Sequence, residues 1–304
     1  MTLAEEQPTM SKRELPGRLR LFLRASPLNL LALALVALAL LAAIAAGLAE
    51  VTGLQVTPYD PLKPSLTERL VPPSLDHPMG TDHLGRDVFS RVFLGTRISV
   101  QVALSVLTIA ALFGLVIGLV SGFFGGWIDE ILMRFADLFL AFPALILAAA
   151  ISTAFGGGLG VTSIALAAVF WPWYARVVRS RVLSLRDQQF VRATASLGAS
   201  NGWLIFRTIL PMIWPVLIVQ VTLDAGFVML ASAGLSFLGL GAQAPTPEWG
   251  SMIFNAISFQ PKSWWIALFP GLALGLTALG FNLLGDGLRD FLDPADTSGA
   301  ADST

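Results

Sequence analysis

QFVRATASLGASNGWLIFRTILP, residues 189–211, is a basic, helix-patterned segment strung between two long apolar runs. Phe190, Ala193, Thr194 and Leu197 recur at i, i+3, i+4 and i+7, which is one face of a helix. Gly198 stands where a left-handed cap ends such a helix, Ser200 or Asn201 can cap a second, and Pro211 marks entry to a longer span. The pattern predicts two short helices around a glycine corner. Small residues on that corner permit close approach by another protein, and the arginines can pair with its carboxylates. An ordinary linker that merely collects positive charge would show the same periodicity.

Composition sets the class in which this segment has to work. The 304 residues are 55% hydrophobic and 13% charged, with mean hydropathy +0.73, against about 25% charged in a soluble domain. This is a polytopic membrane chain. Cysteine is absent, which removes disulfides and thiolate metal sites. The net charge of −1 is spread over several loops, so no basic face for nucleic acid forms.

A spanning helix needs about 20 apolar residues. Residues 28–48 supply a first span; residues 98–128 hold a second, near 100–123. The uncharged run 138–175 is too long for one span, and Gly156, Gly157 and Gly158 suit a tight turn between a third and a fourth helix. Residues 208–243 hold a fifth span with one ionisable group, Asp224, and 263–285 a sixth. The expected architecture is all-α: a tail 1–27, the first span 28–48, an external loop 49–97, a five-span core 98–294 that includes the loop 176–211, and a tail 295–304. Six spans put both termini on one side. If that side is cytoplasmic, thirteen Lys and Arg, from Lys12 to Arg289, fall there and six, from Lys63 to Lys262, outside. The imbalance predicts N-in, C-in, with 189–211 in the cytoplasm. Residues 28–48 are longer than a signal-peptide core of about 7–15 residues, which favours a retained helix.

Prolines at 58, 61, 64, 72, 73 and 78 exclude a regular helix over most of the external loop. Val88, Phe89, Val92 and Phe93 then recur at helical spacing opposite Ser90, Arg91 and Arg97, which predicts an interfacial amphipathic helix, either a surface anchor or part of an external gate.

Residues 192–211 resemble the EAA loop of bacterial ABC importer permeases: Glu-Ala-Ala, three residues, Gly, then nine residues before Ile-x-Leu-Pro. Ala193, Gly198, Leu210 and Pro211 match, while Arg192, Thr194 and Thr208 stand at the Glu, second Ala and Ile positions. GTDHLGRDVFSRVFLGTRIS from Gly80, LSFLGLGAQAPTPEW from Leu235 and FNLLGDGLRDFLDP from Phe281 are similar to the dipeptide/oligopeptide/nickel permease family, in its C-type subunit. The resemblance implies a type I importer permease fold in the bacterial inner membrane, a homologous B-type permease partner, two ATP-binding subunits and an extracytoplasmic substrate-binding protein. It makes Arg192, Ala193, Thr194, Ala195, Leu197, Gly198 and Ala199 the ATPase-docking segment, and Asp82, Arg86, Asp87, Glu248 and Trp249 candidates for the external gate or binding-protein contact. Short peptides are the implied cargo, with glutathione, nickel complexes and opine-like compounds as alternatives.

None of the three lysines follows a Gly-x-x-x-x-Gly pattern, so ATP and Mg are expected in partner subunits and no cofactor on this chain. A protease in the membrane needs Ser with His, or paired aspartates, and a proton-coupled carrier needs several buried ionisable groups. Here His77 and His83 lie outside the spans and Asp224 stands alone within one. Asp224 either lines a path with Asn282 or makes a structural hydrogen bond to Asn282 or a partner. His77, Met79 and His83 read as an incidental cluster rather than a nickel site. Trp249, Trp264 and Trp265 read as an interfacial belt, and Asp286 with Arg289 as a surface ion pair.

Overall fold

The computed structural model describes residues 26–292, so the predicted tail 295–304 and residues 1–25 of the predicted tail 1–27 lie outside the described residues, while Ser26 and Pro27 belong to the start of the first helix. Among these residues the chain is helical, with a single isolated bridge between Thr81 and Asp87. Helix α1, Pro27–Thr52, begins with proline in its first turn and a Ser26 cap to the Leu28 amide, and stops at Gly53 in the left-handed conformation. Helix α2, Val88–Phe124, runs 37 residues from an Asp87 cap, about 55 Å at helical rise. The predicted interfacial helix is the first part of α2, not a separate element. Val88, Ser90, Arg91 and Val92 are all buried, so this stretch is enclosed by protein on both of its faces.

Helix α5, Leu159–Arg186, packs along α2. Gly114, Gly118 and Gly122 make this possible: a Cβ built on them would fall 2.5, 2.7 and 2.7 Å from the Cβ atoms of Tyr174, Val178 and Val182. Without a hydrophobic drive in lipid, such small residues at every fourth position let two backbones approach and gain dispersion contact.

Between them, the third span is broken. Helices α3, Gly126–Leu140, and α4, Ala144–Ala154, meet at 87°, where Pro143 offers no amide to continue the ladder. The predicted Gly156–Gly158 turn is present, with φ of +88°, +70° and +92°, and the Gly158 amide donates to the Leu240 carbonyl at 2.8 Å. Five helices are long and apolar enough to cross a membrane, or six if the bent pair counts as one.

Helix α6, Gln189–Ser196, is short; α7 runs Asn201–Phe237. The second short helix expected after the glycine corner is instead the start of α7, joined through a π-helical turn at Leu204–Ile209. Helix α8, Trp249–Ala256, and α9, Trp265–Leu292, complete the described chain. Helix α9 packs on α7 and α1.

Candidate functional site

Helix α6 hangs from the end of α5 and buries one side chain, Val191, in a cluster shared with Leu204 and Ile205 of the π-helical turn. Arg192, Ala193, Ala195 and Leu197 are exposed, Leu197 at 89% of its surface. Phe190 is also exposed, so the apolar face predicted from the spacing points away from this chain's own core. Gly198 has φ +90°, the left-handed corner expected, and no atom lies within 4 Å of a Cβ placed there. Ser200 caps α7 by accepting from the Trp203 amide at 3.3 Å. The corner is shaped by its own caps and leaves its outer surface free of internal contacts.

A line of charge ties α6 to the helices behind it. Arg192 reaches Asp187 at 3.2 Å, Arg186 lies 3.7 Å from the same carboxylate, and Arg186 also donates to the Gly122 carbonyl at the end of α2 at 2.9 Å. Two helical turns up α5, Arg179 grips Asp129 of α3 through two bonds at 2.5 and 2.6 Å, and Ser121 of α2 adds a third. Arg176 pairs with Asp137 at 2.6 Å. Arg192 and Arg186 thus meet on Asp187 at the α5–α6 junction, Arg186 ties that junction to α2 by a hydrogen bond, and Arg179 and Arg176 tie α5 to α3 by ion pairs. The Asp286 and Arg289 pair expected on α9 does not form; neither belongs to an ion pair among the described residues.

The external candidates are placed very differently. Asp82 takes Arg86 at 2.7 Å and Arg91 at 3.5 Å, and Arg91 donates to the Pro61 carbonyl at 2.9 Å. Asp87 caps α2 through the Ser90 amide and holds His77 at 2.9 Å. Glu248 caps α8 by accepting from the Gly250 and Ser251 amides, and the Trp249 indole donates to the Val92 carbonyl. All five candidates are buried. Burial pushes the Glu248 carboxyl above its ordinary range, against the pull of the two amides. A role of these side chains at an outer gate therefore runs through the backbone they hold. Trp265 is likewise internal, donating to the Thr81 carbonyl, so of the three indoles predicted as a belt only Trp264 is exposed. The His77 ring lies against Tyr59 and His83 stacks on Phe259, so both rings are engaged outside any metal geometry.

Asp224 lies midway along α7, half-buried, and accepts from the Gln220 amide at 3.1 Å on both oxygens. A carboxylate at the centre of a span costs about 2.5–3.5 kcal/mol to insert, which directs it toward protein or a cavity. Asn282 does not meet it. The Asn282 Oδ1 abuts Gly226, two residues on and on the opposite side of α7. The structure instead brings Tyr174 of α5 toward Asp224, a residue that sequence reading missed.

Among the described residues, five or six helices apolar enough to cross a membrane and an exposed helix–glycine corner between two of them define a multi-pass helical membrane protein. The chain belongs to the family of binding-protein-dependent transport system inner membrane components, whose pattern matches residues 114–295. It is 47% identical to the dipeptide transport system permease protein of Alkalihalophilus pseudofirmus over 75% of each chain. It is 41% identical to the probable D,D-dipeptide transport system permease protein of Escherichia coli K12 over 97% of this chain and 98% of that one. The nickel transport system permease protein of the same organism is 45% identical over 86% and 93%.

Proposed function

We propose that this chain is one half of the membrane channel of an ATP-driven importer in the bacterial cytoplasmic membrane, and that its cargo is short peptides. A homologous B-type permease forms the other half. Two ATP-binding subunits, which hold ATP and Mg, dock on residues Arg192–Ala199 and the matching segment of the partner, and an extracytoplasmic binding protein delivers cargo. Both termini are cytoplasmic, and Asp224 faces the path. The observation that carries this reading is the α6 corner: an exposed apolar and arginine-bearing surface whose Arg192 has one internal partner, Asp187, which Arg186 of α5 also approaches. Two of the three relatives named above are called dipeptide permeases, which supports peptides over nickel complexes, glutathione or opine-like compounds.

Affinity purification of the tagged chain, co-expressed with the products of neighbouring genes, tests the assembly. Peptide uptake into proteoliposomes should require both ATPases and ATP. Uptake by the two permeases alone would favour an ion-coupled carrier instead. Tags at residues 5, 198 and 300 should be reached from the cytoplasm and a tag at 64 from outside; the same side for 64 and 198 would overturn the six-span topology.

A further inference from the structure

Helices α1 and α2 leave two openings in line along their seam, one to either side of the ion pair between Glu50 and Arg97. The first is a groove of about 620 Å³ that follows α2 from Arg97 to Ile109 and is walled by Leu40, Ala43 and Ile44 of α1. Its length is about 18 Å at helical rise, close to half of a hydrocarbon core of about 30 Å. Both helices are apolar enough to cross a membrane, and Ile44, Leu104 and Ile109 are exposed along the groove. The second opening is a cavity of about 490 Å³ beyond Glu50, lined by the last turns of α1, the external loop and residues 245–247.

The two openings carry opposite charge. Arg97 is the one charged residue lining the groove, and its Nε lies 3.5 Å from where a Cβ on Gly47 of α1 would stand. Glu50 and Asp60 are the charged residues lining the cavity, and both are acidic. Glu50 is exposed, and a carboxylate has lone pairs for several donors, so its pairing with Arg97 leaves room for another. One helical turn deeper than Arg97, the Gln101 side chain is exposed and makes no hydrogen bond among the described residues. An amide at that depth calls for a partner. Below it the lining is largely aliphatic, and the Ser105 hydroxyl is turned back onto the Gln101 and Val102 carbonyls at 2.8 and 2.9 Å. Read inward, the order is two carboxylates, a guanidinium, a free amide and hydrocarbon. Its complement is an ammonium, a phosphate, an ester carbonyl and an acyl chain.

We propose that the seam between α1 and α2 is a binding site for a phosphatidylethanolamine lipid. Its acyl chain fills the groove, an ester carbonyl accepts from Gln101, the phosphate sits on Arg97, and the ammonium is shared by Glu50 and Asp60. The guanidinium fork suits phosphate, and a primary ammonium brings three donors to the carboxylates. A lipid with a glycerol headgroup sets no cation against the two carboxylates, and a choline headgroup has charge but no N–H. A helix of another protein has no need of this order of groups. The site shares no residue with the surroundings of Asp224 or with the α6 corner, so it stands apart from cargo and ATPase docking.

The test titrates dioleoyl phosphatidylethanolamine, phosphatidylcholine or phosphatidylglycerol onto the detergent-purified full-length chain, alone and in its assembled complex, and reads retained lipid by native mass spectrometry. The ethanolamine lipid is expected to bind roughly tenfold more tightly than either of the others, the scale of a charged hydrogen bond. Glu50→Gln should bring it level with the choline lipid, Arg97→Gln should weaken all three roughly tenfold, and Ala43→Phe, which fills the groove away from the ion pair, should weaken all three as well. Glu50→Gln is isosteric at an exposed position and carries the test if the other two variants fail to fold. Equal affinities in the wild type, a preference for the glycerol lipid, or a wild-type preference kept in Glu50→Gln overturns the site. A preference shown by the lone chain and lost in the assembled complex means that a partner subunit covers the seam, and overturns it too.

Discussion

Residues 80–91 and residues 189–200 both mix arginines with small residues, and both read as contact surfaces from sequence, yet their arginines have opposite surroundings. In the first, Arg86 and Arg91 share Asp82 and are 6% and 4% exposed. In the second, Arg192 has one partner, Asp187, and both side chains are mostly in solvent. Desolvated charges are tolerated only where pairing and backbone acceptors offset the loss of water. The outer segment is thus a scaffold that fixes the start of α2, whereas the α6 corner is a surface whose own fold asks little of its side chains. Charge density alone does not separate the two. The number of internal partners does.

The largest expected effect follows from the scaffold. Asp82→Ala leaves two buried guanidiniums without a carboxylate and should cost about 3–5 kcal/mol, read as a marked fall in melting temperature and in yield of the assembled complex. Arg192→Ala, in the exposed segment, should leave the melting temperature where it was. If Asp82→Ala melts like the wild type, the contrast between scaffold and surface fails.

Gly198→Trp probes the surface itself. Nothing in this chain obstructs a side chain there, so the damage comes from the left-handed backbone, about 1–2 kcal/mol for a residue with a Cβ, and from bulk thrust at the docking partner. The complex of the two permeases should survive with a small drop in stability, while cargo-stimulated ATP hydrolysis falls at least tenfold or the ATPases fail to co-purify. Wild-type stimulated turnover in this variant would remove α6 from the docking role.

Why one contrast was readable and the other was not is a matter of which forces leave a mark on sequence. Hydropathy and turn residues placed α1, α7, α9 and the Gly156–Gly158 turn, because lipid demands long apolar runs and positive φ demands glycine. Helix α3 was hidden by Asp129, Glu130, Arg134 and Asp137, whose charges resemble a loop. Asp129 and Asp137 are bound by Arg179 and Arg176 of α5, which made α5 in turn seem to end too early. Pairing between distant positions has no local signature. The Gly114, Gly118 and Gly122 spacing did carry a signal for close packing on α5, and the approach to Tyr174 would follow from it. The burial of Glu248 and Trp249 had none, since an acidic cap followed by tryptophan reads equally well as a surface turn.

Arg192→Glu is a milder probe of the surface than Gly198→Trp. The change restores the family's commoner residue but sets a second carboxylate against Asp187, now 3.2 Å from the arginine. Stability should hardly move, because the pair is exposed and screened. Docking is expected to weaken only if the ATPase presents a carboxylate to this position, so co-purification at low and high salt separates the cases. A loss relieved by salt identifies charge repulsion, and a loss insensitive to salt points to altered shape.

The smallest effect belongs to the scaffold again, and it is a pH dependence that the α6 corner, which has no histidine, cannot share. His83 stacks on Phe259 at 5.3 Å, and its Nδ1 is buried without a partner. Burial holds its pKa below the ordinary 6.5, with Arg86, Arg91 and Arg69 pushing the same way and Asp82 pulling against them. The folded chain therefore binds this proton less readily than the unfolded chain, so stability falls as pH falls. The contribution is complete above 6.5, the unfolded value, and is lost as pH drops through the lower folded value. His83→Gln removes the titration and should flatten the decline in melting temperature between pH 7.5 and pH 5, while His77, present in both proteins, drops out of the comparison. Cargo-stimulated ATPase, read over the same range after correction for unfolding, should be no different between the two. A decline as steep in the variant as in the wild type would mean that His83 is not protonated on unfolding and that the outer scaffold is held by its arginine and aspartate pairs alone.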